Sequence, residues 1–364
     1  MIIAPDVCKR PLKERIVKPK APATLKQIAA MAGVHPSTVS RALDPEKRHL
    51  VTDDVARRVA ELARSLSYQP NRVATTLKTG RSRLVGVLLP DIANPVFAPI
   101  LSGIAEALSA DGYAPIVVDA GNDASRQFAF VENLLVQRVE GLILATVSSE
   151  DDVVAHCIRR GLPVVLVNRA EFRNRVSSVV SDDARGMLIA VDHLTALGHR
   201  QIGHIAGPRN TSTGVLRKEG FVRAMAHHGL KAHTEEAERF TRDCGLAPAR
   251  ELIRKVKGLT AVVAANDLLA LGVLDALREM NLRCPDDISL VGHNDMPLVD
   301  LISPPLTTIR IEHRAMGREA ASLLLKELGA KTSDSSRLVL EPALIVRGST
   351  RAVAAEAGRR PAQA

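Results

Sequence analysis

Apolar residues recur at helical spacing near the start of the chain. Leu25, Ile28, Ala29 and Ala32 follow Thr24, a residue suited to cap a helix start. Gly33 supplies the left-handed turn that ends this first helix. Pro36 suits the first position of a second helix, because the N–H it lacks would go unpaired there. On that second helix Val39 and Leu43 face one way, while Pro36, Ser37, Ser40 and Arg41 face another. A third helix over about 53–66 points Val55, Val59 and Leu62 inward. Two short helices joined by a tight turn spell a helix-turn-helix, whose second helix enters the major groove of duplex DNA. Arg41 suits bidentate bonding to guanine, and Ser37 suits several base edges.

From Leu84 the texture changes. Short β-rich runs at Leu84–Leu89, Pro115–Val118, Gly141–Ala145, Val164–Val167, Gln201–Ala206, Thr260–Ala264 and Ile288–Val291 alternate with amphipathic stretches. Those stretches include Phe97–Ala110, Asp183–Leu197, Phe221–His228 and Leu268–Met280, all read as helices. The alternation predicts βαβ units around parallel sheets. About 260 residues is generous for one doubly wound sheet, so two sheets joined by crossovers are expected. The expected division is a disordered basic extension over 1–22, a helix-turn-helix domain over 23–67, a hinge helix and linker over 68–83, a ligand-binding and dimerisation domain over 84–350, and a disordered tail over 351–364.

Composition sharpens the picture once it is split. The net charge of the 364 residues is +9, yet residues 1–83 hold 17 Lys/Arg against 7 Asp/Glu while the rest hold 32 against 33. The excess sits where a polyanion partner would feel it. Aromatics are 2% of the chain, with no Trp, which argues against a surface that stacks single-stranded bases. Cys8, Cys157, Cys244 and Cys284 stand far apart with no C-x-x-C pair, so neither a zinc finger nor a disulfide framework is expected, and a reducing cytoplasm fits. The apolar runs are too short to cross a bilayer, and no membrane partner is expected. No dinucleotide fingerprint, phosphate loop or H-E-x-x-H pair is present, and His199, His204, His227 and His228 read as structural or surface residues. The expectation is a non-enzyme without metal or cofactor.

The wording of the motifs carries a resemblance. Thr24-Leu-Lys-Gln-Ile-Ala-Ala-Met-Ala-Gly-Val34, continuing Ser37-Thr-Val-Ser-Arg-Ala-Leu43, resembles the headpiece of lac-repressor-type (LacI/GalR family) transcription regulators. Tyr68-Gln-Pro-Asn-Arg-Val-Ala74 with Leu77 is similar to that family's hinge helix. The likeness continues through Asp91-Ile-Ala-Asn-Pro95, Leu197-Gly-His199, Ala265-Asn-Asp-Leu268, Pro304-Pro-Leu-Thr-Thr-Ile309 and Val346-Arg-Gly-Ser-Thr350, in order over nearly the whole chain. It implies a small all-α headpiece joined to a periplasmic-binding-protein-like α/β sensor of two doubly wound parallel-sheet subdomains. It further implies a homodimer on a near-palindromic operator, most often a repressor, whose affinity a small-molecule effector changes. Two other readings stand beside it: a solute-binding protein of the same sensor fold, and an architectural DNA binder without an effector.

Carried over residue by residue, the resemblance implies DNA contact at Thr24, His35, Pro36, Ser37, Thr38, Ser40, Arg41 and Tyr68. It adds the hinge residues Asn71, Arg72 and Ala74, with Leu77 wedged between base steps in the minor groove. It implies effector contact at Asp91, Asn94, Phe97, Asn168, Arg169, Arg217, Asn266 and Asn294, polar or loop positions that follow expected strand ends. The chain departs from the family pattern at several points. His35 replaces a serine cap, which suggests a weaker cap or an imidazole that touches phosphate. Asn168 and Asn294 stand where acids are usual, and Ile311 where a glutamine occurs. With two carboxylates fewer beside Arg169 and Arg217, the site suits an anionic sugar acid or small organic acid better than a neutral hexose.

Overall fold

The computed structural model describes residues 23–44, 47–66, 68, 80–148, 151–330 and 334–353. The expected extension over 1–22, most of the expected hinge and the end of the tail lie outside the described residues. The chain divides into two compact units, Met1–Arg81 and Ser82–Ala364.

In the first unit α1 (Leu25–Ala32), α2 (Pro36–Ala42) and α3 (Asp53–Ser65) enclose a small core. Ile28, Ala29 and Ala32 of α1 meet Val39 and Ala42 of α2 and Ala56, Val59 and Ala63 of α3. The expected inward residues Val55 and Leu62 are half-buried against that core, so the inner stripe of α3 is one of small residues flanked by larger ones.

The second unit holds two six-stranded sheets. Its elements are β1 (Leu84–Leu89), α4 (Phe97–Ala110), β2 (Ala114–Asp119), α5 (Ala124–Val136), β3 (Gly141–Leu144), α6 (Asp152–Arg159), β4 (Val164–Val167), β5 (Ser177–Ser181), α7 (Asp183–Ala196), β6 (Ile202–Ala206), α8 (Ser212–His227), β7 (His233–Glu236), α9 (Arg242–Lys255), β8 (Ala261–Ala264), α10 (Asp267–Glu279), β9 (Ser289–Asn294), β10 (Thr307–Arg310), α11 (His313–Gly329), β11 (Arg337–Leu340) and β12 (Ala343–Ile345). The first sheet runs β11-β5-β4-β3-β1-β2 and is parallel throughout. The second runs β12-β10-β9-β8-β6-β7, with only β12 antiparallel. The chain passes between the sheets three times, at 182, at 311–312 and at 341–342. Among the described residues no helix is long and apolar enough to cross a membrane.

Where neighbouring helices cross, glycine removes the side chains that would hold them apart. A Cβ at Gly103 of α4 would stand 2.1 Å from the Arg314 carbonyl oxygen, and one at Gly317 of α11 would stand 2.0 Å from that of Ile100. The obstacle is backbone on both sides, so neither helix can yield by a rotamer change. Gly103→Ala is expected to destabilise the chain by about 1–3 kcal/mol through this overlap. Gly329→Ala, at a position with nothing within 4 Å, is expected to cost nothing or to stabilise slightly. Urea unfolding of the two variants checks the contrast.

Candidate functional site

The first unit presents one polar face, and its caps explain how. At α1 the Gln27 N–H donates to Thr24 Oγ1 (3.3 Å) while the Thr24 N–H donates to Gln27 Oε1 (2.8 Å), a closed capping box. Gly33 takes φ 65° and ends the helix. At α2 the imidazole does cap: the Ser37 N–H donates to His35 Nδ1 (3.3 Å), and the Ser37 Oγ lies 2.8 Å from the same nitrogen. With Val39 and Ala42 turned into the core, Ser37 and Arg41 are exposed one turn apart, and Pro36, Thr38 and Ser40 are half-buried beside them. The Arg41 guanidinium makes no hydrogen bond or ion pair among the described residues. Tyr68 packs half-buried against the core of this unit, and burial raises its hydroxyl pKa. Asn71, Arg72, Ala74 and Leu77 lie outside the described residues.

In the second unit the polar residues gather beyond the carboxyl ends of the strands, where doubly wound sheets open a crevice. Asp91 and Asn94 shape the turn after β1: Asp91 Oδ1 accepts from the Ala93 N–H (2.9 Å) and Asn94 Oδ1 from the Val96 N–H (3.2 Å). Phe97 opens α4 and is buried in the main hydrophobic cluster. Asn266 caps α10 by accepting from the Leu269 N–H (2.8 Å). Asn168 adopts a left-handed φ of 64°, which turns the chain so that Arg169 is buried at the end of β4. Asn294 ends β9, buried, with its Oδ1 3.1 Å from His293 Nδ1.

The two arginines differ. Arg217 Nε donates to Asp183 Oδ1 (2.7 Å) and its Nη1 to the Ala265 carbonyl (2.7 Å), all of it buried. The two amides at Asn168 and Asn294 thus do not leave Arg217 without a carboxylate. Asp183, read from sequence only as a helix start, supplies the balancing charge from 34 residues away. Burial raises the Asp183 pKa, and Arg217 pulls it back.

Among the described residues Arg169 has no carboxylate within ion-pair distance. Its Nη1 donates to Asn122 Oδ1 (3.0 Å), and its buried Nε has no partner. Burial, and then repulsion from Arg217, lower its pKa to about 10, so it stays charged at neutral pH. Arg169 lines a cavity of about 50 Å³ together with Asn122, Gln127, Thr146, Asn210 and Thr211. Thr146 Oγ1, also buried, has no partner either. Asp151 reaches the same cavity, but its oxygens accept from Ser148, Val153 and Val154 N–H groups and so cap α6. Sequence reasoning missed Asn122, Thr146, Asn210 and Thr211. Their one signal is that each follows a strand end by a few residues.

The second sheet's side of the crevice is otherwise kept free of added cations. Burial first of all lowers the pKa of His204 and His313 to about 4 and that of His293 well below the ordinary value, with Arg217 opposing a further positive charge on each. Asp295 accepts from Arg310 Nε and Arg347 Nη2, both at 2.7 Å. Ile311 is buried in the core.

A helix-turn-helix unit and a two-sheet binding unit in one chain define a ligand-responsive, DNA-binding regulator. Residues 24–71 match the family "Bacterial regulatory proteins, lacI family", and residues 191–350 match "Periplasmic binding protein-like domain". The HTH-type transcriptional regulator MalR of Streptomyces coelicolor is 35% identical over 348 residues, spanning 92% of this chain and 98% of that protein. The HTH-type transcriptional repressor CytR of Escherichia coli is 31% identical over 339 residues, with 92% and 98% covered. A lac repressor structure bound to ONPG in the repressed state superposes with a TM-score of 0.80 at 28% identity, covering 91% of this chain and 100% of that one. A CelR–cellobiose complex gives 0.67 at 31% identity, with 90% and 99% covered. The chain belongs to the lacI family of bacterial regulatory proteins.

One buried acid beside the crevice makes stability depend on pH. Asp267 accepts from the Met296 N–H (2.8 Å) and the Thr308 hydroxyl (2.6 Å), and burial pushes its pKa up to about 7 from an ordinary 3.8. Between those values the folded chain keeps a proton that the unfolded chain releases, so the stability from this group is complete at acid pH and is lost as pH rises through about 7. The thermal midpoint is expected to fall between about pH 5 and about pH 8 for this reason. Asp267→Asn is expected to flatten that part of the decline in scanning calorimetry.

Proposed function

We propose that two copies of this chain grip a near-palindromic operator in the cytoplasm, and that a small anionic effector entering the crevice at Arg169 changes the grip. In this reading residues 23–67 read DNA, 68–83 form the hinge, and 84–350 sense the effector and dimerise. Ser37 and Arg41 face the major groove, with Thr24, His35, Pro36, Thr38, Ser40 and Tyr68 positioning the headpiece and the hinge residues Asn71, Arg72, Ala74 and Leu77 completing the contact. Twofold symmetry then sets two half-sites about one helical turn apart. An effector that prefers one arrangement of the subdomains shifts the balance between DNA-competent and incompetent dimers. Regulation of transcription, most simply as a repressor, is the outcome, without catalysis.

The observation that carries the anionic assignment is the uncompensated buried charge of Arg169. A buried guanidinium with an unpartnered N–H and no acid beside it is costly. A carboxylate or phosphate satisfies both deficits in the bidentate geometry that arginine favours. In this reading Asn168, Asn266 and Asn294 offer the effector amides and Arg217 a charge already paired with Asp183, while Asp91, Asn94 and Phe97 belong to the turn after β1. A lac repressor dimer bound to operator and an anti-inducer supports the dimeric, DNA-bound arrangement by analogy.

A thermal-shift panel tests the reading. Sugar acids and small carboxylates are expected to raise the melting temperature by several degrees, because a ligand at about 100 times its Kd adds about 2.7 kcal/mol. Arg169→Met is expected to abolish that shift while leaving the ligand-free protein as stable as before or more so, since it removes a charge without a partner. Stabilisation by neutral sugars alone, equal in both proteins, overturns the anionic effector. Fluorescence anisotropy on operator-containing duplexes, with and without the stabilising compound, reports the change in grip.

A further inference from the structure

The cap of α2 does more than start a helix. A backbone amide is a donor only, so the ring nitrogen of His35 that receives the Ser37 N–H is the unprotonated one. The ring proton is thereby assigned to Nε2. Ser37 Oγ lies 2.8 Å from that same unprotonated Nδ1, and two lone pairs cannot bond to each other, so the hydroxyl donates its single proton to the ring, sharing the one lone pair of Nδ1 with the longer bond from the Ser37 N–H at 3.3 Å. Ser37 is exposed, has no other hydrogen-bond partner for its side chain among the described residues, and stands one turn before the exposed Arg41. What it turns outward is therefore a pair of oxygen lone pairs and no proton.

We infer that Ser37 reads its base as an acceptor only, with His35 as the positioning residue that fixes this polarity. In the major groove the donors available to such an atom are the amino groups of adenine N6 and cytosine N4, while guanine O6 and thymine O4 offer only lone pairs in return. The half-site is then expected to carry adenine or cytosine, not guanine or thymine, at the contacted position. This narrows the general versatility of a serine hydroxyl to one of its two modes. The inference rests on the reading of α2 as the DNA-facing helix.

Selection of duplexes from a randomised pool by the full-length protein tests it. One position per half-site is expected to hold adenine or cytosine by about tenfold over guanine or thymine. Ser37→Ala is expected to flatten that position and leave the others intact. His35→Gly keeps a tolerated helix cap but removes every side-chain acceptor at this position, freeing the Ser37 proton. It is expected to admit guanine or thymine at the same position while its unfolding curve stays close to that of the parent. His35→Asn offers an oxygen acceptor in place of Nδ1 and is expected to restore the amino preference, which a purely structural cap would not distinguish from glycine. The inference is overturned if the position that Ser37→Ala flattens holds guanine or thymine in the parent, or if His35→Gly leaves the preference unchanged. A pool with no enrichment for the parent protein overturns the DNA-reading assignment and this inference with it.

Discussion

A guanidinium taken out of water must find acceptors, and the second unit is arranged around two such groups that meet this demand differently. Arg217 meets it within the protein. Asp183 begins α7 directly after the first passage between the sheets, and the Ala265 carbonyl lies just past the end of β8, directly before the Asn266 cap of α10. One side chain on α8 thus ties together the starts of two other helices and the end of a strand. Removing either acceptor would leave a buried charge exposed to its own desolvation cost, several kcal/mol in magnitude. Arg169 meets the same demand with a single amide from Asn122. The contrast makes the first arginine part of the frame and the second part of a receptor.

The neighbouring ionisable groups follow from that frame. Three imidazoles, His204, His293 and His313, are buried near Arg217, and each is held neutral by burial and by that charge. His204 donates its Nδ1–H to the Val263 carbonyl (2.8 Å), and its ring stacks on Phe221 at 4.8 Å between centroids. A neutral ring of this kind fills a polar corner of the interior without adding charge. Asp267, by contrast, keeps its proton to near neutral pH because burial outweighs the pull of its two neutral donors, the Met296 amide and the Thr308 hydroxyl. Burial thus keeps these three imidazoles and Asp267 from adding charge beside the Arg217–Asp183 pair and Arg169.

Much of the architecture was legible because it is written locally. Thr24, Gly33 and Pro36 mark the ends of α1 and α2 by conformational necessity, and β1 and β4 are continuous apolar runs whose expected limits match the observed ones. What was not legible depends on partners remote in sequence. β5 reads Ser-Ser-Val-Val-Ser, a poor apolar run, yet it is fully buried because β11 pairs with it from about 160 residues later and Ser177 accepts from the Ser336 amide. β7 is His-Thr-Glu-Glu, an edge strand whose acids engage Arg209, Lys218 and Lys255, and no hydrophobic period announces it. α8 starts at Ser212, well before the apolar stretch at Phe221, since its first turns bury Ser212, Thr213 and Arg217 and not hydrophobic residues. The candidate site divides in the same way. Arg169 and Arg217 were readable as residues, but the acid that neutralises one and the cavity that surrounds the other arise only when strand ends distant in sequence meet.

The helix crossings show how an event at the crevice can reach the rest of the unit. α4 begins at Phe97, directly after the turn built by Asp91 and Asn94, and crosses α11 where Gly103 and Gly317 bring the two backbones together. α11 in turn begins just after the second passage between the sheets, at 311–312. Helices separated by long side chains can slip as rotamers change; helices in backbone contact cannot, because a packed interior has little compressibility. A shift of the turn after β1 is therefore not absorbed between α4 and α11 but is carried to the passage that connects the sheets. Arg310, the last residue of β10, is held there by Asp295, the residue after Asn294. Both walls of the crevice thus end on the same short connection, one of the three between the sheets, through a pair of glycine-packed helices on one side and an ion pair on the other.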